Sequence, residues 1–576
     1  MADLLPHKQS YKQIFFVQLI FWGVTLVMLF TRFACLYTYN GADDLHYAFL
    51  SSKLLHGSYN MFFANDIFSA RLLVVGYQAL WFKVSGINDF SMSMPSLSLL
   101  IVVAYFVCFK CGLKKNIYTA ALGSSLVYFN PVVITATSGN LPDVYIALIA
   151  VLVFFLIRKC LEDCTRKNAA VNGVFAGLLL LAGLFVKETI VLIYAGTAIM
   201  LFYCRHKISR NFLMVLIAIF FIGSAGYLYG CYVHTGNAFY RFVQINNSVY
   251  FNPCSYNCLP ELDLLKRLTI TVPLNTAITG AFPLLMVLPL LFGYKQYKHA
   301  DTLFWKIALA SLCLLALYFP FSLSPYVPLC HDMRQFFFLF PFAAVLYLHF
   351  LQSVSQSAQS FRSVSIISGI VFAIIIVLGF FYSPFNKWHI LCCSLLAGLF
   401  IINIFLNKSQ QKFALYFMVP VILWLSIVYP LYKKPHNGYA ALKAVQSRLK
   451  QDADTSNTFY FLNNDTRSHF ALINKFNTVK QFFNLDTIQG GFKPFIAYQA
   501  KNIAGTHSFK KGWLIVSDEY PENMDAAQIQ SINKLLAEMQ PHFELSKTTA
   551  YYITTVEALQ QIMHVVNIQA ANTGCN

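Results

Sequence analysis

Up to about residue 432 the chain alternates long apolar runs with short polar turns. A membrane-spanning helix needs about 20 mostly apolar residues, and about 13 runs meet or approach that length. They lie near 14–31, 93–109, 116–137, 141–157, 171–186, 189–204, 211–233, 268–292, 303–323, 335–352, 364–382, 389–406 and 413–432. Leu72–Phe82 is also apolar, but Arg71 and Lys83 bound it after a few turns. That length suits an interfacial or re-entrant helix better than a span. From residue 433 the pattern changes. Aromatic and β-branched runs at Thr458–Leu462, Trp513–Val516 and Thr549–Thr554 predict strands. Helical periodicity at Tyr439–Lys450, Ala526–Met539 and Val556–Val565 predicts helices between them. The expected architecture is therefore an all-α polytopic membrane domain over 1–432, followed by a small α/β domain over 433–576 that is long enough to bury its own core.

Composition excludes the soluble classes. Only 11% of the residues are charged, against roughly 25% in soluble domains. The 55 Phe and 33 Tyr supply too much apolar surface for a disordered chain. The net charge of +18 raises nucleic acid as a partner, and its distribution argues against that. Residues 433–576 hold 14 basic and 11 acidic side chains, so most of the surplus sits in short loops between apolar runs. Basic loops of that kind mark the cytoplasmic side of a membrane and contact with anionic lipid. With 72–82 not spanning, Lys110, Lys114, Lys115, Arg158, Lys159, Arg166, Lys167, Arg205, Lys207, Arg210, Lys295, Lys298, Lys408 and Lys412 all become cytoplasmic. The N-terminus is then cytoplasmic and the 433–576 tail extracytoplasmic. No small-residue cleavage site follows the first run, so that run is expected to stay as an anchor.

The span centres carry almost no ionisable residues. Charges gather instead at the expected outer edge, where a surface enzyme would place them and a midplane transporter would not. Asp43 and Asp44 repel each other unless a cation, a proton or a catalytic task accompanies them; an isolated pair of this kind also serves as a helix N-cap. Asp143, in Asn140-Leu-Pro-Asp143, is a further carboxylate at a span's mouth, or again an N-cap. Lys187 and Glu188 form the apex between two short runs, where a cation can bind an anionic head group. His331, Asp332 and Arg334 precede another run, placed either to snorkel at the interface or to clamp a phosphate, with Arg71 a further candidate for that task. Cys254 and Cys258 share one outer loop and would suit a short-range disulfide in an oxidising compartment; no spacing in the chain reads as a zinc site.

These stretches, in this order, resemble the GT-C membrane glycosyltransferases, specifically the dolichyl-phosphate-mannose protein mannosyltransferase and aminoarabinose (lipid A) transferase group. The likeness lies in Ala42-Asp-Asp-Leu-His-Tyr47 running on to Gly57, and in Ala70-Arg-Leu-Leu with Gly86 and Met94-Pro-Ser-Leu97. It continues through Asn130-Pro131 with Leu141-Pro-Asp143, and Asn172-Gly-Val-Phe-Ala-Gly177 with Phe185-Val-Lys-Glu188. Where that family often has Asp-Glu, this chain has Asp43-Asp44. The tail carries no motif of the family.

The resemblance implies an inner- or plasma-membrane enzyme using a polyprenyl-phosphate sugar as donor and a lipid, glycan or protein as acceptor, with inversion. It implies Asp43 as the general base on the acceptor hydroxyl, with Asp44 and Asp143 completing the acidic set. Tyr47, Arg71, Lys187, Glu188, His331 and Arg334 are the expected substrate-binding residues. A monophosphate can leave against cations alone, so no metal ligands are assigned. Whether Asp44 and Asp143 position the acceptor, hold a cationic residue or bind a divalent cation stays open. A transporter of a lipid or anionic solute and a non-catalytic scaffold are the alternatives. The first predicts midplane charges or two similar half-chains, and the second predicts dispensable outer carboxylates.

Overall fold

The computed structural model describes residues 11–34, 43–62, 66–111, 116–137, 139–162, 165–247, 261–271, 274–276, 300–320, 322–323, 326–327, 329, 333–353, 358–381, 387–407, 410, 438–451, 458–461, 464–476, 481–485, 492–494, 512–517, 546–547 and 551–556. Among these, five helices are long and apolar enough to cross a membrane: Ile14–Phe33, Asp89–Phe109, Pro142–Glu162, Arg210–Thr235 and the run Met333–Gln352. Shorter apolar helices accompany them, and the chain is a multi-pass membrane protein. The expected run 413–432, the candidate disulfide Cys254–Cys258 and the expected helix 526–539 lie outside the described residues, as do most of 268–292 and all but the first residue of 556–565.

By packing, the chain divides into two compact units: Met1–Leu36, Tyr59–Gln78 and Ser93–Lys433 form one, and Tyr37–Ser58, Ala79–Met92 and Lys434–Asn576 the other. The first unit is helical. Its elements are α1 Tyr11–Ala34, then, after α2 Asp43–Leu55 of the second unit, α3 Leu72–Ser85 and α4 Asp89–Phe109, both of which run on from the second unit or into it. There follow α5 Ile117–Tyr128, α6 Pro131–Ala136, α7 Pro142–Glu162, α8 Arg166–Gly183, α9 Ile190–Tyr203, α10 Arg210–Thr235, α11 Tyr240–Asn247 and α12 Glu261–Lys266. After α12 come α13 Ala300–Tyr318, α14 Phe340–Ser353, α15 Ala358–Phe381 and α16 Lys387–Phe405.

Local chemistry sets several of these boundaries. The run expected over 116–137 is two helices rather than one. Pro131 supplies no N–H to continue α5, and Asn130 Oδ1 caps the new start by accepting from the Val132 N–H at 2.9 Å. Pro142 opens α7, where a missing N–H costs nothing, and puts Asp143 in the first turn, where the helix dipole favours a carboxylate. α3 is 14 residues long, short of the about 20 that a straight span needs, and carries Lys83 in its last turn. In α10, Gly236 adopts φ 74° and closes the helix with its N–H on Tyr232 O at 2.8 Å.

Glycines bring α8 and α10 together. A Cβ at Gly173 would stand 2.7 Å from Phe212 O, and one at Gly177 would stand 2.9 Å from Ile219 Cβ. Close approach through small residues is the usual basis of helix association in a bilayer, where no hydrophobic drive separates protein from lipid. The rest of α10 exposes large apolar side chains, among them Phe221, Ile222 and Tyr229, as a lipid-facing helix does.

In the second unit a six-stranded sheet has the order β5-β4-β3-β6-β8-β7. The strands are β3 Thr458–Phe461, β4 Gln481–Leu485, β5 Phe492–Pro494, β6 Gly512–Ser517, β7 Ser546–Lys547 and β8 Tyr551–Val556; β1 Ser322–Leu323 and β2 Tyr326–Val327 form a separate hairpin in the first unit. The central β3 runs parallel to both β4 and β6, whereas β5, β7 and β8 pair antiparallel. All four β3 residues are buried, as a central strand between parallel neighbours requires. The chain enters through α17 Gly438–Gln451 and passes from β3 to β4 through α18 Asn464–Ile473. Leu442, Val445 and Leu449 of α17, Phe470 of α18, and Phe459, Phe461 and Ile515 form the core.

The end of α18 is strained. Lys475 (φ 55°) and Phe476 (φ 52°) follow one another in the left-handed region, which costs non-glycine residues roughly 1–2 kcal/mol each. The turn is held by the Lys475 N–H on Leu472 O at 2.7 Å and the Phe476 N–H on Ala471 O at 2.9 Å.

Candidate active site

The first unit gathers four of the expected site residues. Lys187 Nζ donates to Asp143 Oδ1 at 3.0 Å. The adjacent Glu188 accepts from Arg71 Nη2 at 2.9 Å and, through its other oxygen, from Arg241 Nη2. The side chains of Asp143, Arg71, Lys187 and Arg241 are 4%, 6%, 13% and 13% exposed and that of Glu188 is 27% exposed, so the apex between α8 and α9 is partly enclosed rather than a fully solvated hairpin.

The local sequence builds this cluster. Tight backbone turns carry the chain from α8 through Phe185 and Val186 to the apex. Phe185 O accepts from the Leu73 N–H at 3.1 Å, which ties the start of α3, and so Arg71, to that apex. The mouth of α7 is fixed on its other side. Asn140 is fully buried; its Nδ2 donates to Val74 O at 3.0 Å and Gln78 Oε1 at 3.1 Å, while Tyr145 donates to its Oδ1 at 2.8 Å. Ser96 Oγ donates to Gly139 O at 2.8 Å. A buried amide satisfied at three points holds the Asn140–Asp143 turn in one geometry.

Arg241 was not among the residues expected from sequence. It stands in α11 with two further anchors: Tyr240 Oη donates to Phe62 O at 2.9 Å and Gln244 Nε2 to Met61 O at 3.2 Å, while Arg241 Nη1 reaches Ile67 O at 2.8 Å. The strong amphipathic character of the helix was a signal available in its sequence; its partner Glu188, 53 residues earlier, was not.

Burial alone would raise the Glu188 carboxyl. The Arg71 and Arg241 guanidiniums outweigh it and, with a backbone hydrogen bond and Lys187, hold the pKa down at about 2. The five side chains together bear three positive and two negative charges. Both carboxylates of the cluster pair with the chain's own cations, Asp143 with Lys187 and Glu188 with Arg71 and Arg241, and among the described residues no group of three His, Cys, Asp or Glu side chains is arranged to hold a metal ion.

Arg334 is half-buried in the 3₁₀ turn Met333–Leu339, which packs against α6 and α7. His331 and Asp332 lie outside the described residues. Asp43, Asp44 and Tyr47 belong to the second unit, on α2. Asp43 is half-buried at the first turn. Asp44 is fully buried, its Oδ1 accepting from the Leu45 N–H at 2.9 Å. Tyr47 is also fully buried, and its carbonyl accepts from Ser51 Oγ at 2.7 Å.

No protein-family model matches the chain, and no curated protein matches it in sequence. Solved structures do match. ArnT from Cupriavidus metallidurans bound to undecaprenyl phosphate aligns at a TM-score of 0.56 and 12% identity, over 93% of this chain and 97% of that one. The same protein in the apo state aligns at 0.58 and 11% identity, over 95% and 98%. ArnT, an aminoarabinose lipid A transferase, is a GT-C fold enzyme. At such identity the likeness concerns architecture, and by it this chain has the GT-C fold that its acidic motif and the motifs after it resemble.

Proposed function

We propose that the chain is an integral membrane glycosyltransferase, moving a sugar from a polyprenyl-phosphate donor to an acceptor hydroxyl at the outer membrane surface. The observation that carries this reading is the match along nearly the full length of both chains to ArnT, which was solved with undecaprenyl phosphate bound. The enclosed cluster around Lys187 supports it independently, because its single surplus positive charge suits an anionic phosphate better than a neutral solute.

In the proposed reaction Asp43 takes the proton from the acceptor hydroxyl as the oxygen attacks the anomeric carbon, a step in which a positioned base typically contributes about 10²–10⁴-fold. The bond from that carbon to the phosphate oxygen breaks, the configuration inverts, and polyprenyl phosphate leaves with its electron pair. An inverting glycosidase likewise sets its carboxylate base on the face opposite the leaving group. Lys187 and Arg334, with Arg71 and His331, meet the charge growing on the phosphate. Asp143 and Glu188 hold Lys187 and Arg71 in place, and the buried Asp44 and Tyr47 fix the acidic helix that carries Asp43. The apolar spans cradle the polyprenyl chain. The topology is about 13 spans over 1–432, with the N-terminus cytoplasmic and the α/β domain 433–576 outside.

The test uses the purified full chain in nanodiscs with a panel of polyprenyl-monophosphate sugars and membrane extract as acceptor. Release of free polyprenyl phosphate from one donor supports the reading. No release from any of them overturns it.

A further inference from the structure

The second unit joins the acidic helix α2 to the sheet domain that follows residue 433. α2 packs against α18 in this unit, and one contact between them is a pair of rings. Phe476, 4% exposed, packs on Phe49 of α2, 6% exposed, with ring centroids 5.9 Å apart at 60°. Phe49 lies on the helix whose first turn carries Asp43 and Asp44. Its ring is also flanked by His46 at 6.3 Å and capped by Lys53 Nζ at 4.7 Å.

Phe476 meets Phe49 from a turn of two consecutive left-handed residues that ends α18. A glycine would take such a turn without strain, and the chain has none there. The conformation is fixed from the domain side. Asn474 is 7% exposed; its Nδ2 donates to Phe470 O at 2.8 Å, and its Oδ1 accepts from Gln446 Nε2 of α17 at 2.7 Å. Phe470 in turn packs in the domain core with Leu442, Val445 and Phe459. A continuous set of packed groups therefore runs from the sheet core through Asn474 and Phe476 to Phe49 and α2. Strained backbone retained by surrounding structure is characteristic of segments that set functional geometry.

We infer that Phe476 is a positioning residue: the sheet domain holds the acidic pair Asp43–Asp44 in its reactive orientation through the Phe476–Phe49 contact. This gives the domain after residue 433 a role in turnover, and it rests on the reading of Asp43 as the general base.

The experiment uses the full chain in nanodiscs as wild type, Phe476→Ala, Phe476→Tyr and, from the other side of the contact, Phe49→Ala. Two readouts are taken: amide hydrogen exchange over Asp43–Leu55, with Gly512–Ser517 as the check that the domain stays folded, and the rate of polyprenyl phosphate release. In Phe476→Ala and Phe49→Ala, exchange in α2 rises about tenfold or more as the helix opens locally, with β6 still protected. Turnover falls about tenfold or more through kcat, with KM for the donor held within about twofold, as misplacement of a reacting group predicts. Phe476→Tyr keeps the ring and restores both. Unchanged exchange in α2 overturns the inference, as does faster exchange with unchanged kcat. If Phe476→Ala unfolds the domain, Phe49→Ala, which leaves the domain core intact, decides by the same criteria. A wild type that releases nothing overturns the transferase reading, and the mechanical coupling is then decided by exchange alone.

Discussion

Lys187 Nζ stands 3.0 Å from Asp143 Oδ1, in a pair so enclosed that the two side chains are only 13% and 4% exposed. Such a pair gains little over two apolar residues, yet removing one partner strands the other's charge. Lys187→Met is therefore expected to destabilise the protein by about 3 kcal/mol, and adding Asp143→Asn to recover most of that loss. Turnover separates the functional role from the structural one. If Lys187 meets the donor phosphate, the double variant regains thermal stability and stays at least about tenfold down in polyprenyl phosphate release, one tenfold step being about 1.4 kcal/mol of transition-state stabilisation. Full recovery of turnover would make Lys187 a structural partner only.

Glu188 serves two guanidiniums at once. Glu188→Gln removes the carboxylate charge that both guanidiniums share and is expected to cost about 3 kcal/mol, the range for breaking a buried pair. Arg241→Gln leaves Arg71 on Glu188 and costs less, about 1–2 kcal/mol. It also removes the link from α11 to Ile67 O. Thermal unfolding of the detergent-solubilised variants checks the order, and an Arg241→Gln loss larger than that of Glu188→Gln contradicts it.

The depressed Glu188 carboxyl sets a pH window. A carboxylate whose folded pKa lies below its unfolded one stabilises fully above the unfolded value, and that stabilisation fades as pH falls toward the folded value. With a folded pKa of about 2, the gap in unfolding temperature between wild type and Glu188→Gln should be flat from about pH 5 to 8. It should shrink progressively below about pH 4.3, the ordinary glutamate value. A gap that changes between about pH 5 and 8, well above that value, contradicts the assignment.

The α8–α10 contact makes a paired prediction. Gly173→Ala drives a methyl against Phe212 O, with a contact of 2.7 Å, and should cost about 1–3 kcal/mol. Gly226→Ala, on α10 with nothing within 4 Å of its added carbon, should be neutral or stabilising by up to about 1 kcal/mol. Thermal midpoints of the two variants check this, and equal losses would place the helix contact elsewhere.

How much of this was legible in the sequence depends on the range of the interaction. The short α3 could be read from Arg71 and Lys83 flanking one apolar run, because the limit is a local length. β3, β6 and β8 were visible as aromatic and β-branched runs, whereas β4, Gln481–Leu485, carries two polar residues in five and did not stand out. The break at Asn130-Pro131 passed unnoticed inside an apolar run, although proline chemistry marks it. Lys187, Glu188, Asp143 and Arg71 were each selected as separate charges in apolar surroundings. Their pairing spans 44 and 117 residues of chain, and no local pattern encodes it. Arg241 was missed because its loop holds other polar residues, so a single arginine there carries no contrast. The left-handed turn at Lys475–Phe476 runs against residue preference, and only its tertiary partners reveal it.

The most direct test of the central claim is single-turnover release of polyprenyl phosphate by Asp43→Asn, measured beside equilibrium binding of the same donor. With Asp43 as the base, the variant binds donor as wild type does and releases polyprenyl phosphate at least about 10²-fold more slowly, the lower range for loss of a general base. Release at the wild-type rate by a folded, donor-binding Asp43→Asn would contradict it and move the proton transfer to another group.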